Sequence, residues 1–191
     1  MTVVADVPVE LRGYLDELIR RLEAIVELDA VYLFGSAAQG AYAHGRSDVD
    51  VIAVTARPSS QSQKEAIAAT AQLLPCPARK LELVVYARDA ERHELNVNTD
   101  ELVHFDPDDD PSFWFVLDRA IAEQHSIPLL GPPWEEVFEP VPPEAIEAAL
   151  TDAEAFDGWD DPRGAETAAA RARIWRETGE WVSKPEARRR S

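Results

Sequence analysis

Two short apolar runs, Val31-Tyr32-Leu33-Phe34 and Val49–Thr55, bracket a segment that opens on Gly35-Ser36 and closes on Ser47-Asp48-Val49-Asp50. Apolar runs this short, bounded by turn residues, read as buried strands rather than helices. The chain must therefore fold around a sheet with polar chemistry at one of its ends. A glycine directly after a strand lets the backbone turn and lets a phosphate approach it closely. A helix starting at Ser36, capped by the Ser36 hydroxyl, would aim free N–H groups at that phosphate. Side chains alternate along a strand, so Asp48 and Asp50 point to one face. Two carboxylates so close repel unless a cation lies between them. Magnesium, a hard ion that takes carboxylate and phosphate oxygens, is the natural one. Taken singly, Gly35-Ser36 is an ordinary turn and the aspartates are solvated acids at a strand edge. On adjacent strands they form a candidate phosphate-chemistry site.

The remaining pattern places this site in an α/β unit. Leu11, Tyr14, Leu15, Leu18, Leu22, Ile25 and Val26 recur at helical spacing and predict a helix over Val9–Leu28. A second helix is expected over Gln61–Leu74, closed by Pro75 and Pro77. Leu81–Tyr86 reads as a third strand, with Leu81, Leu83 and Val85 alternating against Glu82, Val84 and Tyr86. Asn96–Pro111 lacks periodicity and is expected to be loop. Phe113–His125 is helical in pattern. Ser126–Pro143 carries six prolines and is expected to run as a stiff, extended linker. Two helices follow, Pro143–Phe156 and about Arg163–Glu177, joined by a DGWDDP loop. A last segment starts at Ser183-Lys184-Pro185, with Ser183 as cap and Pro185 in the first turn. The expected organisation is an α/β domain over 1–110, a helix and Pro-rich linker over 111–142, and a helical region over 143–191.

Glu82 is a third carboxylate, set among Leu81, Leu83, Val84 and Val85. A carboxylate in a mostly buried strand is costly unless paired or used. Burial would raise its pKa toward the range of a general base. If its strand neighbours that of the aspartates, Glu82 faces the same surface; the bland alternative is an outward edge residue. The net charge of −17 repels nucleic-acid backbones and attracts a small polycation. No apolar run reaches membrane-spanning length, and the N-terminus has no secretory pattern. The lone Cys76 excludes an internal disulfide and suits a reducing cytoplasm. The four histidines, at 44, 93, 104 and 125, lack metal-ligand spacing and are expected to be surface or satisfied residues.

GSAAQG followed by SDVDVIAV, with a later acid on another strand, resembles the signature of the nucleotidyltransferase superfamily related to DNA polymerase β. QHSIPLLGPPWEEVFEPVPPEAIEAAL and ARIWRETGEWVSKPEA are similar to the linker, first C-terminal helix and later helical segment of aminoglycoside 3''-adenylyltransferases. The resemblance covers most of the chain, the long middle loop least. It implies an α/β (α+β) fold, a nucleotidyltransferase domain with a small mixed sheet flanked by helices, followed by a shortened C-terminal helical domain. It implies magnesium-dependent transfer of AMP from ATP to a hydroxyl of streptomycin or spectinomycin. Carried over by position, Asp48 and Asp50 hold magnesium and Glu82 deprotonates the hydroxyl. Gly35, Ser36 and Ser47 hold the triphosphate, and Arg173 and Lys184 reach phosphates from the helical region. Trp159, Asp160, Asp161 and Asp118 are candidates for the drug pocket.

Relatives continue for several helices past the segment resembling VSKPEA. The shortened region is expected to expose an apolar face, with Trp175 and Trp181 on it, and to leave the chain a monomer or a homodimer through that face. Two other readings remain open from sequence: a nucleotidyltransferase that modifies a protein partner, as in small antitoxins, and a non-catalytic nucleotide-binding relative.

Overall fold

The computed structural model describes residues 6–159 and 162–190. A six-stranded mixed sheet, in the order β5-β4-β3-β2-β1-β6, organises it. Its centre is the expected trio: β1 (Leu28–Phe34), β2 (Val49–Thr55) and β3 (Leu81–Ala87). β1 and β2 pair antiparallel, and β2 and β3 pair parallel. The parallel pair needs a crossover, supplied by α3 (Gln61–Leu73). Ser60 and Gln63 close a reciprocal capping box at the start of α3, which fixes where the crossover begins.

Alternation along the strands makes two apolar faces. Val31, Leu33, Val51, Ala53, Leu83 and Val85 pack under α3 and α1 (Val9–Glu23), which contributes Leu11, Leu15, Leu18 and Leu22. α1 stops short of the expected Leu28. The last apolar residues of its pattern are used instead in a turn, where Gln63 Nε2 donates to the Ile25 carbonyl, and at the start of β1. On the other face Ala30, Tyr32, Phe34, Ile52, Val54, Val84 and Tyr86 pack against Ala122 of α4 (Ser112–His125), Trp134 and Phe138.

Two expected irregular stretches are ordered. The middle segment forms β4 (His93–Asn98) and β5 (Leu102–His104), followed by a short 3₁₀ turn over Pro107–Asp109. Leu95 and Val97 reach the first core while Asn96 and Asn98 face the other way, so polar residues conceal the alternation. The Pro-rich segment is not a free linker. Ile127–Leu130 is β6, the edge strand beside β1, where Pro128 is tolerated because one side of an edge strand needs no donor. Trp134 and Phe138 then anchor the segment, stacked at 4.3 Å. The sheet is therefore completed by residues beyond 110.

The helical region comprises α5 (Pro143–Ala155), α6 (Pro162–Thr178) and α7 (Lys184–Arg190). Ser183 caps α7 as expected, accepting from Glu186 N at 3.4 Å. The expected open face is not formed by the tryptophans. Trp181 is buried and stacks on Trp175, and His125 Nε2 lies 2.6 Å from the Trp181 carbonyl. These contacts tie α6 and the turn after it onto α4. Among the described residues no helix is long and apolar enough to cross a membrane.

Candidate active site

β1 ends at Phe34 and the chain turns at once through Gly35, at φ +61°. Only a residue without a side chain adopts that conformation cheaply. The β1–β2 register sets Phe34 opposite Asp50, so the turn lies against the Asp50 carboxylate. A Cβ at Gly35 would sit 2.0 Å from Asp50 Oδ2. The turn that follows, α2 (Gly35–Ala38), begins one residue earlier than expected, with Phe34 at the cap position and no side-chain cap from Ser36. On the other side of β2, Asp50 is level with Glu82 of β3. In-register residues of neighbouring strands share a face, roughly 5 Å apart, so the two carboxylates converge.

Asp48 lies one residue before β2 and is held differently. Arg79 Nε and Nη2 donate to its two oxygens at 2.8 and 2.5 Å. The pair is locked in place by backbone bonds on both sides, Arg79 N to the Ser47 carbonyl and Val49 N to the Lys80 carbonyl. The next residue, Lys80, is buried and places Nζ 2.9 Å from Glu82 Oε1 and 2.5 Å from Glu101 Oε2. Glu82 is therefore not the buried, apolar-walled carboxylate expected from its neighbours. Its side chain is 36% exposed and paired.

α4 crosses this end of the sheet and brings in Asp118. Asp50 and Asp118 are both half-buried, and both are crowded by protein and by like charge. Burial, then the Glu82 charge, pushes Asp118 up to about 7. Burial, then Glu82 and Asp118, raises Asp50 well above the usual carboxylate range. Lys184, at the start of α7, opposes both shifts. Arg171 of α6 also faces this cluster: burial lowers its pKa while Asp118 and Asp50 raise it. Its Nε donates to the Val182 carbonyl at 2.9 Å and its guanidinium lies 5.5 Å from the Trp181 ring centroid. The site is thus three acids from the sheet and α4, faced by two cations from the helical region. Such an arrangement disfavours the charged form of Asp50 and Asp118 until more positive charge arrives.

Residues 15–109, which contain Gly35, Asp48, Asp50, Arg79, Lys80 and Glu82, match the nucleotidyltransferase domain family. The chain carries a nucleotidyltransferase domain. The fold agrees: the structure of spectinomycin adenyltransferase AAD(9) from Enterococcus faecialis, solved with ATP and spectinomycin, superimposes with a TM-score of 0.70. That match covers 90% of this chain and 80% of the other at 16% identity, which speaks to fold. No curated protein sequence matches the chain.

Within this nucleotidyltransferase, the other sequence-derived candidates fall as follows. Gly35 is at the site by the contacts above. Ser36 is half-buried in the turn that Gly35 opens. Ser47 is half-buried, and its Oγ accepts from Ala43 N at 3.0 Å. Lys184 is exposed and in electrostatic reach of Asp50 and Asp118. Arg173 is exposed on α6 and is not brought to the acids; Arg171 is. Two residues on a helix lie roughly 200° apart, so both cannot face the cleft. The signal for Arg171 was its spacing of three and four from Ile174 and Trp175, which face inward. Trp159 joins Trp114 and Phe156 in an aromatic cluster, its ring 5.0 Å from Trp114, and its Nε1 reaches the Ala153 carbonyl at 3.4 Å. Asp160 and Asp161 lie outside the described residues.

Asp48 and Asp50 are hard oxygen donors at the entry to one strand, which is what magnesium takes. Among the described residues no three His, Cys, Asp or Glu side chains converge into a metal cage. A magnesium ion shared between one or two carboxylates and substrate phosphates needs no such cage, so the donor set fits that ion. One histidine departs from expectation. His93 is buried, stacked on Phe115 at 3.7 Å, and its Nε2 has no hydrogen-bond partner among the described residues. Burial lowers it to about 4, so it is neutral near pH 7. It lines a cavity of about 390 Å³ with Tyr86, Phe115 and Arg119, at the opposite end of the sheet face from Glu82.

Proposed function

We propose that this nucleotidyltransferase moves AMP from ATP to a hydroxyl of an aminoglycoside or aminocyclitol antibiotic, of the streptomycin or spectinomycin kind, and releases pyrophosphate. The observation that carries the reading is that Asp50 and Asp118, crowded by Glu82, are faced by Arg171 and Lys184. The fold shared with an enzyme solved with ATP and spectinomycin supports the choice of substrates.

In this reading residues 1–110, which carry five of the six strands, are catalytic, and the helical region 143–191 closes over them. The backbone of Gly35 and the hydroxyls of Ser36 and Ser47 bind the triphosphate, because a turn without a Cβ lets phosphate oxygens reach N–H groups. Arg171 and Lys184 approach the phosphates from the opposite side. Asp48 and Asp50 would hold magnesium, which neutralises phosphate charge and stabilises the leaving pyrophosphate. Glu82 accepts the proton of the attacking hydroxyl as the oxygen bonds to the α-phosphorus and the bond to the β-phosphate breaks. Lys80, 2.9 Å from Glu82 Oε1, orients Glu82 for that role. Asp118, with Asp160, Asp161 and the Trp159 ring, meets the amines and sugar faces of the drug. A polycation that pairs with Asp118 discharges the repulsion among the acids, so substrate binding and the charge state of the site reinforce each other.

The test is pyrophosphate release from ATP and magnesium across a panel of aminoglycosides and aminocyclitols. Release only with streptomycin or spectinomycin is expected. No release with any member overturns the reading, and labelled AMP on a protein instead shows a macromolecular acceptor.

A further inference from the structure

Arg79 was singled out neither by spacing nor by motif, yet it engages both oxygens of Asp48, at 2.8 and 2.5 Å. A fork of two parallel N–H groups on one carboxylate is the strongest geometry this pair can adopt. It occupies two of the lone-pair directions through which Asp48 could meet a divalent ion. A guanidinium and a dication on the same carboxylate also repel, the more so where solvent screens poorly, and the Asp48 side chain is only 15% exposed. Both positive groups cannot be held at once without cost.

The neighbouring cation behaves differently. Lys80 is 9% exposed and fixed between Glu82 and Glu101, so it has nowhere to go. The Arg79 side chain is 53% exposed and, among the described residues, its side-chain hydrogen bonds go to Asp48, with Glu101 and Glu82 acting on it by charge alone, so it can swing outward. Its backbone is pinned by the bond to Ser47, so the side chain alone moves. Two consecutive basic residues therefore serve two acids in unlike ways, one as a fixed partner and one as a removable one.

We propose that Arg79 is a gate on the metal site: in the free protein it holds Asp48 closed, and it must leave before a divalent ion can bind there. Arg79 is thus a positioning residue that acts through Asp48. The inference rests on Asp48 and Asp50 being metal ligands. It predicts that removing Arg79 improves a function of the free protein, which loss of a merely structural contact would not do.

The experiment is Mn²⁺ binding to the full chain without nucleotide, read from the free-ion electron paramagnetic resonance signal. Arg79→Ala should bind Mn²⁺ about three- to tenfold more tightly than the natural chain, the range expected for releasing one partly exposed, bidentate pair. Arg79→Lys, which keeps the charge and loses the fork, should fall between the two. Arg46→Ala is the control: it removes one charge two residues from Asp48, from an exposed side chain that makes no ion pair with Asp48. A gain in Arg46→Ala equal to that in Arg79→Ala reduces the effect to net charge and overturns the gate. Equal affinity in Arg79→Ala and the natural chain, with binding abolished by Asp50→Asn, overturns the gate and leaves the metal site standing. Binding unaffected by Asp50→Asn removes the metal site and the gate with it.

Discussion

Gly35→Ala tests the local geometry on which the proposed site depends. Two separate penalties apply. An L-residue at φ +61° costs about 1–2 kcal/mol relative to glycine. The new Cβ would also stand 2.0 Å from Asp50 Oδ2, whereas ordinary contact begins at 3.4 Å, so the carboxylate must retreat by 3.4 − 2.0 = 1.4 Å. Asp50 cannot retreat freely, because β2 is an interior strand held by β1 on one side and β3 on the other. Overpacking of this kind costs about 1–3 kcal/mol, for a total near 2–5 kcal/mol in urea denaturation. A displacement above about 1 Å at a reacting group costs on the order of a hundredfold in turnover, so nucleotidyl transfer should fall at least that far in the folded fraction. The two penalties separate in a double-mutant cycle. In an Asp50→Ala background the carboxylate clash is gone and only the Cβ at position 50, 3.1 Å away, stays close, so Gly35→Ala should cost little more than the conformational ~1–2 kcal/mol. Equal costs in both backgrounds would refute the contact with Asp50 as the reason for glycine at this position.

Asp118→Asn should alter the pH dependence of stability. Asp118 is pushed up to about 7 in the folded chain from a reference value of 3.8. The native state thus keeps a proton that the unfolded chain gives up, and stability falls as pH rises from about 4 to about 7, then levels off. The difference, 7 − 3.8, corresponds to at most about 4 kcal/mol. Asp118→Asn should raise the urea midpoint at pH 8 and leave it nearly unchanged at pH 4; no gain at pH 8 contradicts the crowding of the acids. Under the proposed function, Arg171→Ala should raise the KM for the nucleotide by about tenfold or more, as loss of a charge-assisted phosphate contact does. Arg173→Ala should stay within about twofold, as for an exposed surface charge; the reverse ranking would show that Arg173 faces the cleft.

Much of the site was legible because its signals are local. Gly35, Asp48 and Asp50 sit within one strand–turn–strand unit, and the period of two in Leu81–Tyr86 already set Glu82 opposite Leu81 and Leu83. Whether Glu82 met the aspartates depended on strand neighbours, which the period does not report. β4 and β5 were missed because their alternation carries Asn and His on one face and is completed only by pairing with β3. β6 was missed because prolines suggest an unpaired chain, and only the vacant edge of β1 makes Ile127–Leu130 a strand.

The sequence by itself determined the three central strands, most of the helices and the residue types they carry: a glycine turn, two aspartates one residue apart and a third acid. Tertiary structure decided which groups meet. The rotation of α6 selected Arg171 over Arg173, and the crossing of α4 brought Asp118 within reach of Glu82. The pairing of Arg79 with Asp48 followed from the β2–β3 register. Periodicity is a property of a few consecutive residues and can be read along the chain. Charge pairing depends on distances between residues 30 and more apart, such as Asp48 and Arg79, and those exist only once the sheet has closed.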